Sequence, residues 1–482
     1  MAKKQQETPE IQPLVRDVTA RSLSYKRMSE NWPMIEALMG GTKTIRAKGE
    51  VFLPKNTAES DKNYKNRLSS AILTPFYSKT VRNMSGRIFA KSPTLSDAMD
   101  SRIRSWCENI DMAGKNLAVF AADTITQALA YGLAWILVDF PNVSPDETRT
   151  VADEKQSGAR PYWVFLAASQ VTNVEIDPVK KSISLAVIRE VVEESEGGIP
   201  RQIEQYRVLA PYSWETWRPD ASYKGKDQRF SLYQSGSTTI GFVPLVPIHT
   251  GQIGMFESEP PLLDLAYLNI AHYQGRSNQQ NALTVAQFPI LAATGYRPDP
   301  KAESQDAGST ITLGPRKLLS SDDPQAKFYF VEHTGAAIEA GRKYLADLSD
   351  EMAMLGLQLI MPKADGQAAV TATESTNRKE ESVSDLERIA KKYQDALNLA
   401  LIYTSLWIGA STPGTVTLNG RFDIPFGQTD QQTLLAMRAT GDITRGTLWN
   451  ELQRRGVLSD NFDANREAEL LGNEAPDLGT AF

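Results

Sequence analysis

Apolar residues recur along this chain with two different periods, and the change from one to the other marks out its parts. Over residues 336–360, Ile338, Leu345, Leu348, Met352 and Leu355 stand three, four or seven apart, while Glu339, Arg342, Lys343, Asp347, Asp350 and Glu351 take the other face. That pattern predicts an amphipathic helix. A second helix is expected to start near Thr373 or Thr376, whose hydroxyls can accept from first-turn amides. It should run through Leu386, Ile389, Tyr393, Ala396, Leu397, Ala400 and Tyr403 to Gly409. Together the two span roughly 35 and 50 Å. Rods of that length exceed what one compact core needs, so their stripes are expected to be buried by other copies or by a coiled-coil partner. Between them, residues 361–371 hold Pro362, which stops the first helix, and Gly366, which admits dihedrals closed to other residues. A solvated helix–helix turn and a mobile element presented to something passing by both fit that loop.

Upstream, residues 1–13 are polar and Pro-containing and read as a disordered arm. A helix is expected from Leu14, and another from Trp32, with Asn31 as cap and Pro33 in its first turn, ending at Gly40-Gly41; a strand-like run then covers residues 46–54. Tyr64, Leu68, Ile72, Phe76, Val81 and Met84 follow at helical spacing. A further helix over residues 115–131 carries the stripe Leu117, Phe120, Ile125, Leu129; Gly132 ends it, and residues 134–138 read as a buried strand. After a polar loop at 142–160 the period changes to two, with strands expected over 162–166, 182–188, 203–209, 214–217 and 242–248. Pro260-Pro261 opens a helix over 262–285 with Leu263, Ala266, Ile270 and Tyr273 on one side and a Gln/Asn-rich end at 277–281. Short strands are expected at 288–294, 309–313, 317–320 and 326–332, so a small β unit sits between two long helices and its ends must lie close together. Beyond Gly414 come a strand pair at 416–418 and 422–426 and helices at 430–439, 444–455 and 464–471. The fold class is therefore α+β.

Composition narrows the function. The 482 residues are 41% hydrophobic and 23% charged, enough for two to four packing units. A net charge of −6 argues against a tight, static grip on nucleic acid, yet suits a surface over which DNA slides. The single cysteine, Cys107, rules out an intrachain disulfide and a thiolate metal cluster, in keeping with a reducing compartment. No apolar run at the N-terminus reads as a signal peptide, and residues 133–138 are too few to cross a bilayer, so a soluble intracellular product with no membrane partner is expected.

Of the three histidines, His249, His272 and His333, no two share a helix face. His249 and His333 each stand in a His-Thr-Gly at a strand end, where turn capping or core packing outweighs catalysis. Gly40-Gly41-Thr42-Lys43-Thr44 lacks the spacing that wraps amides around phosphate. Nor is there a Gly-x-Ser-x-Gly elbow or a calcium-loop run of acids. Neither a metal nor another cofactor is expected, and no catalytic residue is assigned. A metal-dependent nuclease or hydrolase with scattered carboxylates is the competing class, and a helical adaptor that forms no ring is a third.

The order of elements carries a resemblance. The strings Trp32-Pro33-Met34-Ile35, Val51-Phe52-Leu53-Pro54, Tyr64-Lys65-Asn66-Arg67-Leu68, Gly86-Arg87-Ile88-Phe89, Val331-Glu332-His333-Thr334-Gly335, Met352-Ala353-Met354-Leu355-Gly356 and Thr371-Ala372-Thr373-Glu374 come in one sequence. Together they resemble a portal (head–tail connector) family of tailed double-stranded-DNA bacteriophages through most of residues 20–425. The resemblance implies a homo-oligomeric ring of about twelve subunits. The ring would sit at one capsid vertex of the virion, assembled in the host cytoplasm. It would be the channel for DNA driven in by the terminase large subunit and later ejected, with the major capsid protein and neck or adaptor proteins as partners. It also implies a division of the chain: an arm at 1–19, a wing at 20–258, stem helices at 259–286 and 336–360, a clip at 287–335, a tunnel loop at 361–371, a long wing helix with strands at 372–426, and a short helical crown at 427–482. In the loop, Lys363, Asp365, Gly366 and Gln367 would face DNA; in the clip, Arg316 and Lys317 would meet terminase or neck proteins; on the stem, Leu345, Leu348, Met352 and Leu355 would seal subunit against subunit.

Overall fold

The computed structural model describes residues 17–141, 159–220, 222–223, 229–286, 290–294, 325, 327–331, 335–357, 372–418, 428–454, 458 and 462–473. Six helices lead: α1 (Leu23–Ser29), α2 (Trp32–Ala47), α3 (Asp61–Ser70), α4 (Phe76–Ile88), α5 (Ser101–Trp106) and α6 (Leu117–Tyr131). Side-chain caps start several of them, with Ser22, Ser60, Asp100 and Asn116 accepting from first-turn amides. Residues 17–22 form no helix and the first described helix begins at Leu23, while Leu14, where a helix was expected to start, lies outside the described residues. Gly41, at φ 74, kinks α2 instead of ending it, and Asn31 makes no side-chain cap.

The strand expected at 46–54 is not formed. Helix α2 runs to Ala47, a 3-10 turn covers Gly49–Val51, and Gly49 at φ 55 swings the chain so that Phe52 and Leu53 are buried in succession. The single helical stripe from Tyr64 to Met84 is likewise two helices. Extended backbone at Ala71 and Pro75 at the head of α4 part them, which leaves Ile72 exposed.

Helix α6 ends on Gly132 at φ 83, which turns the chain straight into β2 (Leu133–Asp139). β2 is buried over its first six residues because it is the centre of a three-stranded antiparallel sheet between β3 (Tyr162–Ala167) and β9 (Leu245–His249). A second sheet, in the order β4-β5-β6-β7-β8, is built from Val171–Ile176, Ile183–Glu196, Ile199–Ala210, Ser213–Pro219 and Phe230–Ser237. Ala186 and Ile188 of β5 turn one face toward Leu133, Trp135 and Leu137 of the first sheet. Sequence alternation found β5, β6 and β7 but missed β4 and β8, whose polar residues blur the period. The small antiparallel pair β10 (Gln252–Gly254) and β11 (Glu257–Ser258) leads to helix α7 (Leu263–Ala286).

From α7 the described chain passes through β12 (Ile290–Thr294) and β13 (Lys327–Val331) to α8 (Ala336–Met352), a π turn (Ala353–Leu357) and α9 (Ala372–Ile408). The 37 residues of α9 extend about 55 Å. Its Leu386, Ile389, Tyr393, Leu397, Ala400 and Leu401 enter the same core as α2, α4, α6 and β2. Three hydrogen bonds hold it there: Tyr393 Oη donates to Ala121 O (2.8 Å), Trp407 Nε1 to Val138 O (3.0 Å), and Trp163 Nε1 to Thr404 Oγ1 (2.9 Å). From Leu386 onward its stripe is thus covered by its own chain, which corrects the expectation that other copies or a coiled-coil partner must bury it.

β14 (Val416–Thr417) pairs with β1 (Thr94–Leu95), far back in the chain, rather than with residues 422–426, which lie outside the described residues. Asn398 and Gln394 of α9 accept from the Val416 and Leu418 amides, fixing the turn back along α9. Helices α10 (Gln428–Thr440), α11 (Arg445–Arg454) and α12 (Ala464–Asn473) close the described chain, near the three expected spans.

Candidate functional site

Helices α7 and α8 form an antiparallel hairpin, the most distinctive feature of the molecule. Two glycines let them approach. A Cβ at Gly341 would lie 2.1 Å from Gln279 Oε1, and one at Gly275 would lie 3.2 Å from Leu345 Cδ2, so each helix receives the other's side chain where its own is missing. Gln279 Nε2 then donates to the Ile338 carbonyl at 2.7 Å. Beyond them β12 and β13 pair antiparallel in register from Ile290 opposite Val331 to Thr294 opposite Lys327. The hairpin's far end therefore carries a β ribbon, and its two ends adjoin as their flanking helices require.

The root of the hairpin is tied to the body by polar side chains of α7. Asn269, fully buried, accepts from the Tyr77 amide at 3.1 Å and donates to Thr74 O at 3.0 Å, supplying a partner to the first turn of α4. Arg276 Nη1 donates to Thr74 Oγ1 (2.7 Å) and Gln274 Nε2 to Phe52 O (3.0 Å). His272 packs edge-on to Phe76 with centroids 5.6 Å apart, and burial, helped by the Arg276 charge, lowers its pKa. Past Ser277 the outer half changes character. Asn278 and residues 280–284 of α7 are exposed, as are most residues of α8 before Leu348. A helix pair stands clear of its own core over this half, with Leu283 and Tyr344 partly bare.

The π turn after α8 seats Gly356 where a Cβ would lie 2.8 Å from Leu265 Cδ2 and 3.0 Å from Thr80 Oγ1, flush against α7 and α4. Beside it opens a cleft of about 540 Å³ lined by Leu355, Gly356, Thr80, Ile253, Arg388 and Lys392. Two cations one turn apart on α9 thus face the point where the described chain leaves α8.

The residues singled out in the sequence divide three ways. Lys363, Asp365, Gly366 and Gln367 of the loop, and Arg316 and Lys317 of the clip, lie outside the described residues, as does His333. On the stem, Met352 is fully buried and Leu348 is 7% exposed within one chain, Leu345 is half-buried against Gly275, and Leu355 stands 50% exposed. Leu348 and Met352 are therefore covered within the single chain, and Leu355 is the member of the expected seam left open on its surface. Met354 and Tyr344, left exposed, took no part in that stripe. Asn269, Gln274 and Gln279 were also missed; of the three, Gln279 alone lies in the Gln/Asn-rich end at 277–281, and that composition does not say which carbonyl it will meet.

His249 places Nδ1 2.7 Å from Ser258 Oγ, and burial, then the nearby Lys392 charge, lowers its pKa to about 4. The imidazole is thus held neutral at the strand end. Among the described residues no group of three or more His, Cys, Asp or Glu side chains is placed to hold a metal, and no helix is long and apolar enough to cross a membrane.

A family model described as "Domain of unknown function (DUF4055)" matches residues 261–408, from the start of the hairpin to the end of α9, under a third of the chain. No curated protein matches the sequence. Among solved structures, the chain is similar to a protein in the neck of an empty gene transfer agent (GTA) particle with C6 symmetry, at 13% identity and a TM-score of 0.40, covering 83% of this chain and 90% of that one. It is also similar to a protein in the neck of a native GTA particle with C12 symmetry, at 12% identity, TM-score 0.42, and 79% and 89% coverage. A third similarity is to a chain of the native GTA virion, at 13% identity, TM-score 0.39, and 90% and 99% coverage.

Proposed function

We propose that this chain is a portal subunit: about twelve copies close a ring around a channel at one vertex of a phage-like capsid, through which duplex DNA is packed and later released. The observation that carries the reading is the α7–α8 hairpin. Its root is locked into the body by Asn269, Arg276 and Gln274, while its outer half, tipped by β12 and β13, leaves the core behind. An isolated helix pair with a bare outer half gains little from its own chain, so neighbours packed side by side are what would order it. The ordered strings shared with one phage portal family support the same reading. On this reading terminase and neck proteins meet the ribbon end, the capsid protein meets the body, and DNA passes the residues of the 361–371 loop. The role is mechanical, with no bond made or broken.

Native mass spectrometry with negative-stain imaging of the purified chain tests it. A closed ring with a central hole is expected, and a folded monomer at micromolar concentration would overturn the proposal. Incubated with duplex DNA and magnesium, the ring should leave the DNA intact; cleavage would favour a nuclease instead.

A further inference from the structure

The five-stranded sheet ends on β8, and its outer edge borders a cleft between the two sheets. Among the described residues no strand pairs with that edge, and β8 carries neither a charge nor a proline to discourage one. Ser231, Leu232, Tyr233, Gln234, Ser235 and Ser237 are exposed. In an antiparallel ladder every second residue turns its N–H and C=O away from its partner, so β8 offers a row of such groups along its free side.

The cleft, of about 580 Å³, lies on the inner face of the same strands. Two cross-strand rows of the sheet run along its floor and end at β8: Arg207, Thr216 and Gln234 in one, Leu209, Trp214 and Gly236 in the other. Gly236 makes room for Trp214. A Cβ there would lie 2.7 Å from the indole Nε1, so the ring reaches across toward the open edge. A strand added about 4.8 Å beyond β8 would take the next place in each row and turn alternate side chains into the cleft.

The walls decide which side chain suits it. Phe140 stacks on Trp407 with centroids 5.4 Å apart, and Trp214 and Phe242 also line the space. Below them Arg207 bridges Asp139 (2.5 Å) and Glu190 (2.8 Å), and through Gln205 the network continues to Arg218 and Glu194. Three carboxylates thus meet two guanidinium groups, which leaves one negative charge in excess. Aromatic faces beside a net negative floor favour a cation.

We propose that β8 and this cleft together bind an extended segment of a partner protein, with its main chain paired along β8 and a lysine or arginine side chain in the cleft. Main-chain pairing supplies affinity and the cleft supplies selectivity. Every group of the site comes from one chain, so the proposal stands apart from the portal reading.

Amide hydrogen exchange and tryptophan fluorescence on the full chain test it, with the acetylated and amidated peptide Thr-Val-Thr-Lys-Thr-Val-Thr as probe. The outward amides of β8 should exchange freely in the protein alone, and saturating peptide should slow them at least about tenfold and shift the tryptophan emission. The same peptide with Glu for Lys should bind at least about tenfold more weakly. A version N-methylated at alternate residues should not bind. Gln234 is exposed, so Gln234→Lys and Gln234→Glu should both fold, the first weakening the lysine peptide and the second tightening it. No binding at millimolar peptide, equal binding of the Lys and Glu peptides, or unimpaired binding after N-methylation would overturn the proposal. So would β8 amides already protected in the protein alone, since the edge would then be taken by its own chain or by a second copy.

Discussion

Two substitutions four residues apart on α8 separate burial within the chain from burial between chains. Leu348 is 7% exposed in one subunit, so Leu348→Asp loses a buried apolar side chain, about 2–5 kcal/mol by analogy with truncation, and adds the cost of a carboxylate without a partner. Such a chain should fail to fold rather than fail to assemble. Tyr344 is 52% exposed, resting partly over Gly275, so Tyr344→Asp should cost the lone subunit about 2 kcal/mol at most. If neighbouring hairpins pack on that face, the same change puts a charge into every interface of the ring. Aromatic anchors of an interface are commonly worth about 2 kcal/mol or more each, and a closed ring contains as many interfaces as subunits. The expected result is a folded Tyr344→Asp chain, native by circular dichroism, that sediments as a monomer or small oligomer, beside a Leu348→Asp chain that is insoluble or unfolded. Intact rings from Tyr344→Asp would refute packing on this face, and a soluble, folded Leu348→Asp monomer would refute the burial of Leu348 by its own chain.

Asn269→Leu strands the Tyr77 amide in the interior and takes one of two donors from the Thr74 carbonyl, which keeps the Phe76 amide, a loss of about 1–3 kcal/mol; a urea midpoint equal to the parent's would show that the tie at the hairpin root does not hold α4. Gly132→Ala combines a φ of 83 with a Cβ 2.7 Å from the Glu259 backbone carbonyl carbon, and should lower stability by about 3 kcal/mol or more, measurable as a drop in Tm. His249, with its folded pKa depressed to about 4 from an ordinary 6.5, takes up its proton more readily when unfolded. Stability from this residue is thus complete above about pH 6.5 and declines as pH falls toward 4, by up to about 3 kcal/mol, with His272 acting in the same direction. Replacing His249 by Gln should flatten the fall in denaturation midpoint between pH 7 and 5, and an unchanged slope would remove His249 as its source. Glu59→Gln removes a carboxylate that pairs with Arg67 where both side chains are below a tenth exposed; a loss of about 3–5 kcal/mol is expected in a denaturant titration, with near-zero loss contradicting it.

Local pattern determined a good deal of this protein. The α6 stripe, Gly132 and the apolar run after it predict a helix, a left-handed turn and a buried strand because each depends on neighbours a few residues away. The same is true of α7, α8 and α9, and of the period-two strands β5, β6 and β7, whose faces can be read from spacing alone. Period names the apolar face but not what will cover it. Leu348 and Met352 belong to a stripe that looked too long for one chain, and only the tertiary packing of α7, with glycines at 275 and 341, showed the chain hiding its own root and baring its tip. Pairing of Val416 with Leu95, and of Asn269 with the start of α4, likewise has no local signature, since closing a loop of hundreds of residues costs little more than closing a shorter one. Short-range sterics and side-chain period wrote the elements into the sequence; which carbonyl, edge or face each element meets was decided by the whole chain burying its apolar surface at once.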